Sequence, residues 1–276
     1  MILWYLIFFA TAFLYSSTGL SGASAYLAYF SIAGIHYEKI PSLSLFLNVV
    51  SSFFGTFNWA KAGHLRLKKV LPFVVFSVPS AFVGSIFRIS EPVFNLLLFA
   101  VLLTVGIIMF VEKKYEEDEL ENISESRLWI YGLVVGLPLG FFSGVVGIGG
   151  GVFLIPIVYK LKIFDFKTSA AAGVFFILVN SSSGLIGHTY KGSVDWVLAV
   201  KFATVVAGGA FLGSKMGAQY LPSNIVKKIF GILIISIAIF RIPKFFCEFI
   251  NFITIFTIFQ SIGWCVSLQN FFSLFH

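Results

Sequence analysis

Residues 140–156 read GFFSGVVGIGGGVFLIP, and the fold turns on them. Five glycines fall within positions 144–151. Each glycine inside a helix costs about 1 kcal/mol against alanine, so this apolar stretch is expected to leave the helix near 147–150. Residues 151–161 then form a short helix of roughly 16 Å at 1.5 Å per residue. That is about half the hydrocarbon thickness of a bilayer.

The surroundings of this stretch are those of a membrane protein. The 276 residues are 58% hydrophobic and 11% charged, with a mean hydropathy of +0.97. A soluble exterior cannot be built from that composition, and long apolar runs within it read as spans. Backbone polar groups in lipid need internal partners, and the runs do not alternate with period two, so the spans are helices. The expected segments are 2–16, 20–34, 42–59, 70–89, 92–111, 127–145, 150–161, 169–187, 194–214, 223–241 and 246–272. The opening MILWYLIFFATAFLY has no basic start and no small-residue cleavage site, so it reads as a retained first helix. Trp59, Trp129 and Trp196 sit where apolar runs begin or end, as interfacial anchors do.

Charge orders the chain. The formal net charge is +7, yet Glu112, Glu116, Glu117, Asp118, Glu119, Glu121 and Glu125 cluster in one stretch. Residues 112–126 are therefore expected to be a solvated acidic linker. The remaining Lys and Arg lie between spans, where they orient a membrane protein. They do not form one basic face, which argues against nucleic-acid binding. Lys61, Arg66, Lys68 and Lys69, then Lys113 and Lys114, then Lys160, Lys162 and Lys167 are all consistent with one cytoplasmic side. Cys247 and Cys265 fit no metal spacing and read as buried apolar thiols. No cofactor or metal is expected.

The second half repeats the first. A shift of 129 residues pairs Ser52 with Ser181, Gly55 with Gly184, Ala81 with Ala210, Gly84 with Gly213 and Ser85 with Ser214. A shift of 128 pairs Gly19 with Gly147 and Gly22 with Gly150. The expected fold is an all-α transmembrane bundle of two homologous repeats, each with a glycine-broken helix. The repeats are 1–111 and 127–241, joined by 112–126 and followed by a C-terminal hydrophobic segment, 242–276. Loop 60–69 and its counterpart near 189–193 fall on opposite sides, which predicts an inverted arrangement. Secondary transporters commonly carry such symmetry and bind solute between the repeats.

Broken helices at membrane depth survive only inside protein or beside a wet cavity. A helix N-terminus there presents unpaired N–H groups and the positive dipole end to an anion. Gly147, Gly149, Gly150 and Gly151, with Gly19, Ser21 and Gly22 from the other half, are thus candidate solute-binding residues. Close packing of small residues is the competing account of the same glycines. Asn180, Ser181 and Ser182, echoed by Ser51 and Ser52, offer neutral donors, or equally interhelical hydrogen bonds. Lys201 lies about 10 Å into its span by helical rise, where it either reaches a central anion or snorkels to the interface. His188 and Asp195 are candidates for proton or ion coupling. No catalytic residue is proposed. Paired carboxylates or a nucleophile with its base at depth are lacking, so an intramembrane enzyme is the weakest reading. A channel or a membrane subunit of a larger complex remains an alternative to a secondary transporter. The partners are a small anionic solute and the bilayer, with self-association left open.

At the glycine run the chain resembles the TauE/SafE sulfite-exporter family, also called the toluenesulfonate uptake permeases. The resemblance rests on Gly144-Val145-Val146-Gly147-Ile148-Gly149-Gly150-Gly151 with Pro156, on Thr168-Ser169-Ala170 and on Asn180-Ser181-Ser182-Ser183-Gly184. His188-Thr189-Tyr190-Lys191-Gly192-Ser193-Val194-Asp195-Trp196 and Gly213-Ser214-Lys215-Met216-Gly217 extend it. It covers 127–241 well and the first half more loosely, where Gly19-Leu20-Ser21-Gly22-Ala23 replaces a richer glycine run. It implies a permease for sulfite, thiosulfate, a sulfonate or a similar compound, spanning the bacterial cytoplasmic membrane many times.

Overall fold

The computed structural model describes residues 2–87, 93, 123–190 and 194–233. The expected segments 92–111 and 246–272, most of the acidic linker, both cysteines and Lys191 lie outside them. The described residues are helical, with no strand among them. Helices α1 (Ile2–Ser16), α2 (Ala23–Ile32), α3 (Ile40–Lys61) and α4 (Leu67–Ile86) come first. They are followed by α5 (Glu125–Val146), α6 (Gly151–Lys160), α7 (Phe166–Tyr190) and α8 (Trp196–Tyr220). A further helix, α9, occupies 223–233. Helices α3, α4, α5, α7 and α8 are long and apolar enough to cross a membrane. Helices α2 and α6, at 10 residues each, are not. The sequence places these elements within a few residues, and the interruption between α5 and α6 falls at 147–150 as the glycine density requires.

Two kinds of glycine separate in the structure. Gly132, Gly136, Gly140 and Gly144 recur every four residues along α5 and face α4. A Cβ on them would stand 2.0–2.5 Å from the carbonyl oxygens of Pro72, Phe73, Ser77 and Ala81. Gly209, Gly213 and Gly217 of α8 meet the carbonyls of Phe9 and Phe13 of α1 and of Ser17 just after it in the same way. These are packing glycines, which let helix backbones touch where no hydrophobic drive separates helix from lipid. The ascending order of partners makes α4 parallel to α5 and α1 parallel to α8. Gly213→Val would push a branched side chain into the Phe13 carbonyl, 2.0 Å from the Cβ position. It is expected to cost at least the 1–3 kcal/mol typical of overpacking, read as a lower melting temperature in detergent.

Gly19, Gly22, Gly147, Gly149 and Gly150 form the other kind, all with positive φ. They lie between helices, in the turns that join α1 to α2 and α5 to α6. Gly19 and Gly147 have φ of 81° and 82°, and Gly22 and Gly150 have 88° and 74°. Ala25 and Tyr26 donate their N–H groups to the Gly22 carbonyl; Phe153 and Leu154 do the same to Gly150.

The central pair is α3 and α7. They run antiparallel, with Gly55 against Val174 and Gly184 against Leu45. At one end of the bundle the turns 62–66 and 161–165 adjoin the end of α8. His64 Nε2 lies 3.2 Å from the Ala218 carbonyl, and Lys167 Nζ donates to the same oxygen at 3.3 Å. Burial, the largest influence on His64, holds its imidazole below its usual range. A cleft of about 170 Å³ lined by Arg66, Lys69, Asp165 and Thr168 lies between the same two turns. Two of the three basic clusters read from the sequence thus share one end; the third, Lys113 and Lys114, lies outside the described residues. At the other end Lys39, before α3, pairs with Asp195, before α8, at 3.8 Å. Trp129 and Trp196 are partly exposed, as interfacial anchors are. Trp59 is not an anchor: it is fully buried, and its Nε1 donates to the Ser16 carbonyl at 3.3 Å. Apolar partners around a helix end, invisible in a linear string, drew it inward.

Candidate functional site

The two turns meet at Asn48, in the ninth position of α3. Asn48 is fully buried. Its Oδ1 accepts a hydrogen bond from Ser21 Oγ at 2.7 Å, which tethers it to the first turn. That bond decides which way the amide faces. Its Nδ2 is left toward the second turn, 3.2 Å from where a Cβ on Gly149 would stand. Ser181 Oγ of α7 is 2.8 Å from the same point. Neither Asn48 Nδ2 nor Ser181 Oγ has a hydrogen-bond partner among the described residues. Gly149 has φ +82°, a conformation open to glycine at little cost, and its missing side chain leaves the space between these two donors clear.

Backbone donors add to them. The N–H groups of Gly149, Gly150, Gly151 and Val152, at the start of α6, meet no acceptor among the described residues. The same holds for Ser21, Gly22, Ala23 and Ser24 at the start of α2. An unmet buried donor costs about 1–3 kcal/mol. Such a concentration at two buried helix starts calls for an acceptor-rich guest.

Other serines hold this arrangement together. Ser44 Oγ donates to the Gly147 carbonyl at 3.0 Å and approaches that of Ala23 at 3.3 Å, so one hydroxyl of α3 joins both turns. Ser51 Oγ donates to the Ser21 carbonyl at 3.0 Å. Ser52 Oγ donates to the Asn48 carbonyl. Ser51 and Ser52, read as solute donors, are thus spent on the backbone.

The remaining candidates divide. Ser21, Gly149 and Ser181 converge on Asn48. Gly150 and Gly151 contribute N–H groups, although the Cβ position of Gly151 points to the Gly173 carbonyl, 2.5 Å away. Gly22 faces the Tyr26 ring, Gly19 packs on Ala170 and Gly147 packs on Pro41. Asn180 Nδ2 donates to the Phe176 carbonyl at 2.8 Å, while its Oδ1 has no partner among the described residues. Ser182 Oγ turns back onto the Leu178 carbonyl at 2.7 Å. His188 is buried, with Nε2 3.3 Å from the Gly144 carbonyl. Asp195 caps α8, accepting from the Leu198 N–H at 3.2 Å. Lys201 lies exposed on α8. Its long stem suits it to snorkel, so Lys201→Met is expected to leave flux within about two-fold of the parent, a ratio proteoliposome uptake measures directly.

Asn48 itself was missed by reading the sequence. The available signal was a primary amide in the middle of a span, which in membrane helices bonds across helices or meets a ligand. Ser143 was passed over inside the quoted motif. It is buried, its Oγ has no partner among the described residues, and its Cβ is 3.4 Å from the Cβ position of Gly150.

Comparison with known proteins agrees with this architecture. No solved structure matches the chain. A probable membrane transporter protein, y4hK, of Sinorhizobium fredii is 28% identical over 232 residues, covering 82% of this chain and 92% of its own. A probable membrane transporter protein, YunE, of Bacillus subtilis is 30% identical over 106 residues, or 38% of this chain and 37% of its own. Another, ORF9 of a Sinorhizobium species, is 27% identical over 75% of this chain and 79% of its own. The protein is a multi-pass membrane transporter of the bacterial inner membrane and not an enzyme. The model of one family, described as sulfite exporter TauE/SafE, matches residues 4–241, and with nearly the whole chain so covered the protein belongs to that family.

Proposed function

We propose that the transported solute is a small anion, a sulfur oxyanion or organosulfonate such as sulfite, thiosulfate or a sulfonate, held at the half-helix starts beside Asn48. The observation that carries this is the set of unmet donors: Asn48 Nδ2, Ser181 Oγ and the N–H groups of Gly149–Val152 around one cleared position. Neutral donors aimed inward suit an anion, and the start of α6 adds its positive dipole end. No charged side chain is among the groups that meet there, so binding by hydrogen bonds lets the solute leave again. The family's description as sulfite exporters supports sulfur chemistry in particular. The test is flux by the purified protein in liposomes across sulfite, thiosulfate, sulfate, taurine and chloride. Saturable flux of a sulfur anion is expected. Saturable flux confined to solutes without an anionic oxygen would end the proposal.

The reading includes two repeats, 1–111 and 127–241, related by a pseudo-two-fold axis in the membrane plane, with 112–126 as linker and 242–276 as a hydrophobic extension. The support is the matched order of helix, glycine turn, short helix and two long helices, together with the paired φ values 128 residues apart. The antiparallel α3 and α7 and the corresponding α4–α5 and α1–α8 contacts agree with it. Single cysteines at Lys68 and Tyr190, both exposed, are expected to label from opposite faces of the membrane. Labelling of both from one face would replace the inverted arrangement with a parallel one.

A further inference from the structure

We propose that the cleft between the starts of α4 and α7 binds a phosphate group, carried by an anionic phospholipid or free in the cytoplasm. The cleft, about 170 Å³, is lined by Arg66, Lys69, Ile163, Phe164, Asp165 and Thr168. Ile163 and Phe164 are buried and form an apolar wall. The charges in the cleft are not balanced. Among the described residues, the Arg66 and Lys69 side chains make no hydrogen bond or ion pair. Asp165 is the acid among the lining residues, and both of its oxygens are spent. Oδ1 accepts from the Thr168 N–H and Oδ2 from Thr168 Oγ1, each at 2.8 Å. Asp165 thus serves as the cap of α7.

Local electrostatics call for a guest here. No acidic residue stands in the first turn of α4, where Arg66, Lys68 and Lys69 set cations against the positive end of the helix dipole. Arg66 and Lys69, at i and i+3, also repel each other. Orienting the protein needs cations at this end, but not a walled cleft around two of them; Lys68, which is exposed, would serve. A phosphate group brings the opposite charge, with acceptor oxygens for a guanidinium fork and an ammonium. Basic pockets between transmembrane helices at the cytoplasmic surface hold anionic headgroups in this way. Leu67, Leu71 and Val75 are exposed on α4, so acyl chains run beside the helix that carries both cations. The cleft is not the solute site: α3 rises about 20 Å from Asn48 to Lys61 at this end. Its two sides come from different halves of the chain. Arg66 and Lys69 stand at the start of α4, whereas Ile163 to Thr168 belong to the turn 161–165 and α7. A phosphate held between them binds only while they adjoin, so it favours this arrangement of the end. The clasp of His64 and Lys167 on the Ala218 carbonyl lies beside it.

The test is thermal unfolding of the delipidated full-length chain in neutral detergent, with two additions made separately at fixed ionic strength. One is phosphatidylglycerol, compared with phosphatidylcholine; the other is inorganic phosphate, compared with chloride. A saturable rise in the melting temperature of the parent is expected with one of them. Arg66→Gln combined with Lys69→Gln is expected to need roughly ten-fold or more of the same ligand for half of the effect. Lys61→Gln combined with Lys68→Gln removes the same charge from exposed positions at the same end and is expected to behave as the parent. Arg66→Gln and Lys69→Gln made singly serve if the pair does not fold. A response to phosphatidylglycerol and not to inorganic phosphate assigns the cleft to lipid; a response to inorganic phosphate assigns it to a free anion. No response of the parent to either, an undiminished response in the Arg66→Gln/Lys69→Gln protein, or an equal loss in both double variants would overturn the site. None of these outcomes bears on the solute bound at Asn48.

Discussion

Gly149→Ala is expected to abolish flux and the thermal stabilisation that a bound solute confers. The added methyl would stand 2.8 Å from Ser181 Oγ and from Ile177 Cγ2, and 3.2 Å from Asn48 Nδ2. It would occupy the space that the two unmet donors face. The substitution also carries a backbone penalty, since a side chain at φ +82° costs roughly 1–2 kcal/mol. That penalty can be measured separately. Gly63 has φ +81° with nothing within 4 Å of its Cβ position, so Gly63→Ala carries the strain without filling a site. Gly63→Ala is expected to lower the melting temperature by a similar backbone increment and to keep solute stabilisation and flux. Retention of solute stabilisation and flux by Gly149→Ala would make this a packing glycine like those of α5.

Asn48→Leu is expected to separate stability from function. Removing a buried amide with an unmet Nδ2 relieves an unpaired donor, while Ser21 Oγ loses its acceptor. The two changes oppose each other at about 1–3 kcal/mol each, so the unliganded melting temperature should move little. Solute affinity should fall by about 10- to 100-fold, the loss of one hydrogen bond to a charged guest at about 1.5–3 kcal/mol. Asn48→Asp is the sharper variant. It still accepts from Ser21 and nearly preserves the shape, yet it aims a carboxylate oxygen at the position the anion takes. Its flux should fall further than that of Asn48→Leu. Parental affinity in Asn48→Asp would remove Asn48 from the site and, with it, the anionic solute.

Much of this was legible in the linear chain. Apolar run length set the spans, because lipid leaves no other way to satisfy a backbone. Five glycines in eight positions set the break before α6, because helix propensity is local and glycine opposes it. The pairing of Gly19 and Gly22 with Gly147 and Gly150 pointed to a second break, and both turns have left-handed glycines. These features depend on residues within a few positions of one another, or on composition over one span.

Tertiary structure alone decided which polar side chains remain unmet. Ser51, Ser52, Ser181 and Ser182 are the same residue type in similar helical surroundings. Two adjacent serines of α3 bond to backbone and Ser182 turns onto its own helix, whereas Ser181, beside Gly149, has no partner among the described residues. Asn48 stands in an ordinary apolar segment, and only the Ser21 bond across 27 residues aims its amide at the second turn. Lys201, promising by its depth along one helix, ends on the outer surface of α8. Helical rise gives depth in a membrane but not azimuth. Azimuth is set by neighbouring helices: packing glycines bring α4 against α5 and α8 against α1, and so fix which faces turn inward.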